Sequence, residues 1–220
     1  MMQIVIVDYG SGNLRSAAKA FERAAVDSGV AASISVTADA DTVARADRVV
    51  LPGVGAFADC KAGLESVPGM IDALQHAVIT NARPFFGICV GMQLMATTGL
   101  EHGETDGFDW ISGTVEALAP SADAGPGGTG PRIPHMGWNR MNITTPHPVL
   151  SNLGDDPFAY FVHSYHVACD DPGTVCATVD YGQTVTAAIG RDTLFGTQFH
   201  PEKSQALGLR LITNFLKWTP

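Results

Sequence analysis

Residues 3–7 form a short, β-branched apolar run that stops at Asp8-Tyr9-Gly10-Ser11-Gly12, the pattern of a buried strand entering a turn. Behind it, apolar residues at Leu14, Ala17, Ala18, Phe21 and Ala25 recur with a helical period. Runs at 34–36 and 48–51 predict a second and a third strand, the third stopped by Pro52-Gly53-Val54-Gly55. A helical stretch over 59–81 is interrupted by Pro68-Gly69, and 85–88 is the next apolar run, with a helix predicted directly behind it over 89–98. Alternating strand and helix predicts an α/β fold, a doubly wound and mostly parallel sheet with helices on both faces. The second half changes character. Strands are expected at 110–118, 159–161, 165–168, 184–189 and 194–199, as an antiparallel extension of the sheet closed by a helix near 205–217. The Gly-, Ala- and Pro-rich stretch 120–131 reads as a mobile surface loop. Without repeats or an interdomain linker, one domain over residues 1–220 is expected.

Composition adds one puzzle. Only 16% of residues are charged while 45% are hydrophobic, against about 25% charged in an ordinary soluble protein. Either a sheet is buried on both faces or part of the surface is covered by a partner. The net charge of −9 argues against nucleic acid as a partner, because phosphate binding needs a clustered basic surface. No apolar run is long enough to cross a membrane, and the first ten residues lack the basic start of a signal peptide. The four cysteines, Cys60, Cys89, Cys169 and Cys176, are scattered and read as thiols. A cytoplasmic protein is expected, in which the sequon Asn142-Ile143-Thr144 is idle.

Cys89 stands out by context. It lies in Gly87-Ile88-Cys89-Val90-Gly91, between a predicted strand and a predicted helix. A nucleophile flanked by glycines at a strand-to-helix turn is held in a strained, exposed conformation, and the helix N-terminus beside it favours an anionic sulfur. The competing reading is a buried cysteine packing as a small hydrophobe. A cysteine nucleophile needs a base, and the base needs an orienting group. His200 in Gln198-Phe199-His200-Pro201-Glu202 supplies the pair, since residues two apart in extended chain share a side; the alternative is a solvated His and Glu at a strand end. Backbone N–H groups of Gly53, Val54 and Gly55, at the end of a predicted parallel strand, are the best candidates for an oxyanion hole, where α/β folds place their sites. Pro-Gly-x-Gly can also be a simple turn.

Together these segments resemble the class I (triad) glutamine amidotransferases. Asp8-Tyr9-Gly10-Ser11-Gly12-Asn13, Pro134-His135-Met136-Gly137-Trp138-Asn139 and Tyr160-Phe161-Val162-His163-Ser164-Tyr165 narrow the likeness to the branch that makes ammonia for imidazole glycerol phosphate synthesis. The resemblance runs over about 4–217. Val90 stands where Leu is usual, and 120–131 is longer than typical.

The resemblance implies a glutaminase in which Cys89 attacks the side-chain amide of glutamine, His200 moves the proton and Glu202 orients His200. Oxyanion donors near Val54, Gly55 and Val90 are implied, with Gln93, Ser164 and Tyr165 holding the substrate. It implies no cofactor and no metal. Because the glutaminase motifs span the chain, the ammonia acceptor is expected on a separate (βα)8-barrel synthase subunit in a heterodimer, with Asn13, Trp138 and Lys203 near the interface. Service to another ammonia-using synthase, such as one making anthranilate or pyridoxal phosphate, is the rival reading.

Other signals carry less. Gly10-Ser11-Gly12 fails as a dinucleotide loop because Arg15 replaces the third glycine. Arg15, Lys19 and Arg23 form a basic stripe, read as a solvated face. His163 and His166, three apart on one expected strand, should face opposite sides and hold no metal.

Overall fold

The computed structural model describes residues 1–121 and 130–220, so the expected loop at 120–131 falls largely outside the described residues. Chain order runs β1 (Met2–Val7), α1 (Leu14–Ser28), β2 (Ala32–Thr37), α2 (Ala40–Ala44), β3 (Arg48–Gly53), α3 (Phe57–Ser66), α4 (Met70–Leu74) with a π-helical turn at Gln75–Thr80, then β4 (Phe85–Cys89) and α5 (Val90–Gln93). The second half holds β5 (Ala96–Gly99), β6 (Thr105–Asp106), β7 (Ile111–Ala117), β8 (His135–Ile143), β9 (Phe158–His163), β10 (Tyr165–Cys169), β11 (Val175–Asp180), β12 (Thr184–Arg191), β13 (Leu194–Thr197) and α6 (Gln205–Lys217).

A nine-stranded sheet has the order β2-β1-β3-β4-β13-β12-β11-β8-β9. From β2 to β13 its neighbours are parallel, and from β13 outward they are antiparallel. Every residue of β3, β4 and β13 is buried. That accounts for continuous apolar runs in place of alternation, and for much of the charge deficit.

Phe85 and Phe86, adjacent on β4, show what covers each face. Consecutive strand side chains point to opposite sides. Phe86 packs on Phe21 of α1, Phe215 of α6 and Phe195 of β13. Phe85 meets Trp110 edge-on at 5.1 Å, and the Trp110 indole N–H donates to Gln75 of the π-helical turn. One face therefore carries α1 and α6, whereas the other meets Trp110 and the helical region around Gln75.

Two expectations needed correction. The helix predicted over 89–98 is a single turn, α5. The carbonyls of Leu94, Met95 and Ala96, which a longer helix would give to its own next turn, accept instead from Phe108, from Trp110 and Ile111, and from Asp109. The chain is drawn off into β5, where β-branched Thr97 and Thr98 suit a strand. The antiparallel extension also divides. β10 and β7 leave the main sheet and join β5 and β6 in a four-stranded sheet of order β10-β7-β5-β6. His163 and His166 consequently lie on different strands of different sheets, not three apart on one.

Candidate active site

Parallel register assembles the site. Gly53 is level with Cys89 across the β3–β4 pair, and Thr197 is level with Ile88 across β4–β13. The chain leaving β3, the start of α5 and the segment leading to His200 therefore emerge side by side at one sheet edge. They border a pocket of about 340 Å³ lined by Val54, Gly55, Cys89, Val90, Gln93 and Glu101, and closed by Pro134, Val162, His163, Ser164, Tyr165, His200 and Lys203.

Cys89 has φ 55° and ψ −112°, a conformation disfavoured for any side chain bearing a Cβ. Its surroundings hold it there. A Cβ on Gly91 would overlap the Leu51 carbonyl oxygen, and one on Gly87 would lie 2.5 Å from the Gly91 oxygen. Glycines at both positions let the sharp turn pack directly on β3.

His200 donates from Nδ1 to Glu202 Oε1 at 2.8 Å, and both side chains are 2% exposed. With Nδ1 so engaged, Nε2 is the atom left to face Cys89; it is buried and has no hydrogen-bond partner among the described residues. Burial lowers the His200 pKa, but the hydrogen bond and charge of the Cys89 sulfur, together with Glu202, outweigh it and raise the value to about 9. A sulfur, an imidazole and a carboxylate are thus in line, able to shuttle a proton to and from the sulfur's side of the ring.

The remaining expected residues divide. Val90 opens α5, so its N–H has no acceptor within the helix and can point at an anion. Val54 and Gly55 line the pocket, but the Val54 N–H is already engaged by Ser11 Oγ at 3.1 Å. Gly53 is packed beneath, where an added Cβ would meet Gly91 N and Val90 Cβ at 2.9 Å. Gln93 is buried and gives both amide hydrogens away, to the Tyr165 carbonyl at 2.9 Å and Gln198 Oε1 at 3.0 Å, which leaves its own oxygen as an acceptor. Ser164 and Tyr165 line the pocket where the chain crosses from β9 to β10.

Of the residues expected near a partner, Asn13 turns inward and donates to Glu202 Oε1 at 3.4 Å. Trp138 is 47% exposed and edge-on to Tyr160, and Lys203 places its ammonium 5.8 Å from the centre of the same ring. Arg15, Lys19 and Arg23 are exposed along α1. The four cysteines are free, and among the described residues no cluster of three or more His, Cys, Asp or Glu side chains could hold a metal ion.

The sequence pattern of the class-I glutamine amidotransferases matches residues 5–218. The chain belongs to that family. Over the full length of both proteins it is 59% identical to the imidazole glycerol phosphate synthase subunit HisH of Rhodopseudomonas palustris. It is 57% identical to that of Brucella suis and 56% to that of Rhodospirillum rubrum, again over the full length of both. Solved structures share the fold at low identity. A glutamine amidotransferase structure superposes with TM-score 0.70 at 18% identity, covering 97% of each chain. Another, from Thermotoga maritima, gives TM-score 0.61 at 14% identity, covering 91% of this chain and 76% of that one.

Three features of this amidotransferase's pocket escaped the sequence. Glu101, on the loop after β5, brings a carboxylate to the rim while accepting the Phe57 N–H at 2.7 Å. Gln198 lies fully buried beside Cys89. His163 lines the pocket and is bonded to His135 at 3.0 Å. No local pattern marks Glu101, whereas His135 and His163 lie inside segments that carry the resemblance but were given no role in the pocket. Gln198 sits inside a motif already singled out, and its position two residues before His200 placed it on the same side.

Proposed function

We propose that this chain is the glutaminase subunit of an imidazole glycerol phosphate synthase in histidine biosynthesis, one cytoplasmic domain over residues 1–220. The observation that carries the reading is the strained Cys89 facing the imidazole that Glu202 orients, all at one pocket. Cys89 Sγ attacks the side-chain amide carbon of glutamine. His200 takes the thiol proton and passes it to the departing nitrogen, so ammonia leaves a γ-glutamyl thioester. The same imidazole then draws a proton from water, which attacks the thioester and releases glutamate. The Val90 N–H and a donor from the Gly53–Val54–Gly55 turn stabilise the oxyanion. Gln93 Oε1 and the Glu101 carboxylate suit the α-ammonium of glutamine, and the walls at Ser164 and Tyr165 suit its backbone end.

Ammonia is useful only if its acceptor meets it before water protonates it. The acceptor belongs to a separate (βα)8-barrel synthase subunit, which forms imidazole glycerol phosphate and an aminoimidazole carboxamide ribotide. The docking face supported best is the exposed apolar group Met136, Trp138 and Phe158 on β8 and β9, with Lys203 at the pocket and Asn13 beside Glu202. Glutamate release, measured with and without the barrel subunit and its nucleotide, tests the reading. Turnover rises many-fold on mixing and disappears in Cys89→Ala. Equal turnover with and without the barrel removes the partner, and an active Cys89→Ala removes the mechanism.

A further inference from the structure

One carbonyl oxygen dictates the direction of a hydrogen-bond chain that ends at the Cys89 sulfur. The Tyr165 carbonyl can only accept. The Gln93 side-chain atom 2.9 Å from it is therefore the amide nitrogen, and the second hydrogen on that nitrogen goes to Gln198 at 3.0 Å. Gln198 must present its oxygen there, which turns its NH2 group toward Cys89 Sγ at 3.6 Å. Neither amide can flip without placing like against like.

The same carbonyl is fixed from the other side. His163 Nδ1 lies 2.9 Å from the Tyr165 oxygen and so carries its hydrogen. His163 Nε2 then accepts from His135 Nδ1 at 3.0 Å, and His135 Nε2 accepts from the Asn139 amide at 3.2 Å. The pair closes only if both rings are neutral. Burial, the main cause in each, lowers His135 to about 4 and His163 to about 3, so neutrality holds over the ordinary range. His135 is clamped between Phe161 and Tyr181, with ring centres 4.7 and 3.9 Å away.

We infer that Gln198 is a further catalytic residue, donating a hydrogen bond to the Cys89 sulfur, and that Gln93, Tyr165, His163 and His135 are the positioning residues that keep its amide pointing that way. Fully buried, Gln198 offers the sulfur a fixed dipole in a place closed to water, where a donor favours the anionic sulfur. The titratable groups that also feel this sulfur are His200, Cys60 and Tyr9. Of these, His200 exchanges its proton, whereas Cys60 and Tyr9 are both raised, burial being the main cause, and stay neutral.

The inference rests on Cys89 being the nucleophile, and the test separates the two. The full-length chain is treated with iodoacetamide across a pH series, and labelling of Cys89 is followed by mass spectrometry. In the parent, glutamine protects Cys89; absence of protection would count against the proposed function, not against Gln198. In Gln198→Met, the labelling rate at pH 7 falls by about tenfold to a hundredfold, the value of a hydrogen bond to a charged group. The rate recovers at high pH, because the profile has moved upward by about 1–2 pH units. Gln198→Asn, which keeps an amide but withdraws it by one methylene, moves the profile the same way and serves if the Met variant does not fold. A rate lowered equally at every pH, or an unmoved profile, overturns the inference, since a merely structural role would misplace the sulfur without altering its protonation.

Discussion

Ser11 and Val54 hold each other twice: the Ser11 hydroxyl accepts the Val54 N–H at 3.1 Å and donates to the Val54 carbonyl at 2.6 Å. Cys60 adds a weaker thiol contact to the same carbonyl at 3.5 Å, and Tyr9 donates to the Pro52 carbonyl at 2.8 Å. The turn expected to supply oxyanion donors is therefore tied down from beneath, with its Val54 donor facing away from substrate.

Ser11→Ala removes that tie. One oxyanion donor is worth about 10²–10³ in rate when lost, so freeing one raises kcat of the isolated chain by up to about a hundredfold, with KM for glutamine little changed. Steady-state glutamate release checks this. A rate equal to the parent's shows that the donor comes from elsewhere in the turn, and leaves Gly55, at φ 103°, as the candidate.

Cys89 and His200 give a second prediction. His200 is at about 9 against the burial that lowers it, and the contact with Cys89 is the largest of the causes that raise it. In Cys89→Ala the imidazole keeps its burial and Glu202 but loses the sulfur, and its pKa falls by about 1–3 pH units. Imidazole NMR titration of both proteins measures the difference. An unchanged value means that the thiol and the ring do not meet in solution.

How much of this was legible beforehand depended on the distance over which each feature is encoded. Cys89 between its glycines, and His200 two residues from Glu202, are local patterns, and each sits where its pattern placed it. The alternation of the first hundred residues specified the parallel sheet because buried central strands read as unbroken apolar runs. The extent of the helix after Cys89 was not local: carbonyls of Leu94, Met95 and Ala96 are taken by residues 108–111, which lie twelve or more positions away. β8 was missed because its inward positions are interrupted by Gly137 and Asn139, and β11 because Cys176, Ala177 and Thr178 carry little hydrophobic signal. Asn13 was expected near the partner interface from its motif alone, and its contact with Glu202 depends on how α1 lies against the segment after β13. The hydrogen-bond chain through Gln198 required the β4–β13 register before its members could be seen as neighbours.

The glycines around Cys89 predict a specific split between stability and rate. In Gly91→Ala the new methyl overlaps the Leu51 carbonyl oxygen, so α5 must shift away from β3. Overpacking of this kind costs about 1–3 kcal/mol. The shift also carries Val90 and Cys89 with it, so kcat falls by at least about tenfold even in protein that remains folded. Urea unfolding and glutaminase assay on one preparation separate the two effects. Full activity in a folded Gly91→Ala protein would mean that the turn tolerates a Cβ and that its close approach does not set the geometry of Cys89.

Buried histidines make stability depend on pH with two opposite signs. Burial lowers His135 and His147 to about 4 and His163 to about 3, while unfolded histidine titrates near about 6.5. Between those limits the unfolded chain binds protons that the folded one refuses, so stability falls as pH drops from about 6.5 toward 4. His200 works the other way. Raised to about 9, it contributes fully below about 6.5 and loses that contribution as pH rises through 9. At pH 5, where His200 is protonated in both states, His135, His147 and His163 together bind about three protons on unfolding. His147 offers a clean check, since it lies away from the pocket, accepts the Val149 N–H on Nδ1 and stacks on Phe195. His147→Asn keeps an acceptor for Val149 but cannot titrate, and proton uptake at pH 5 falls by about one. Calorimetric unfolding in buffers of different ionisation enthalpy reads that difference directly, and an uptake unchanged by the substitution would show that His147 is already protonated in the folded chain.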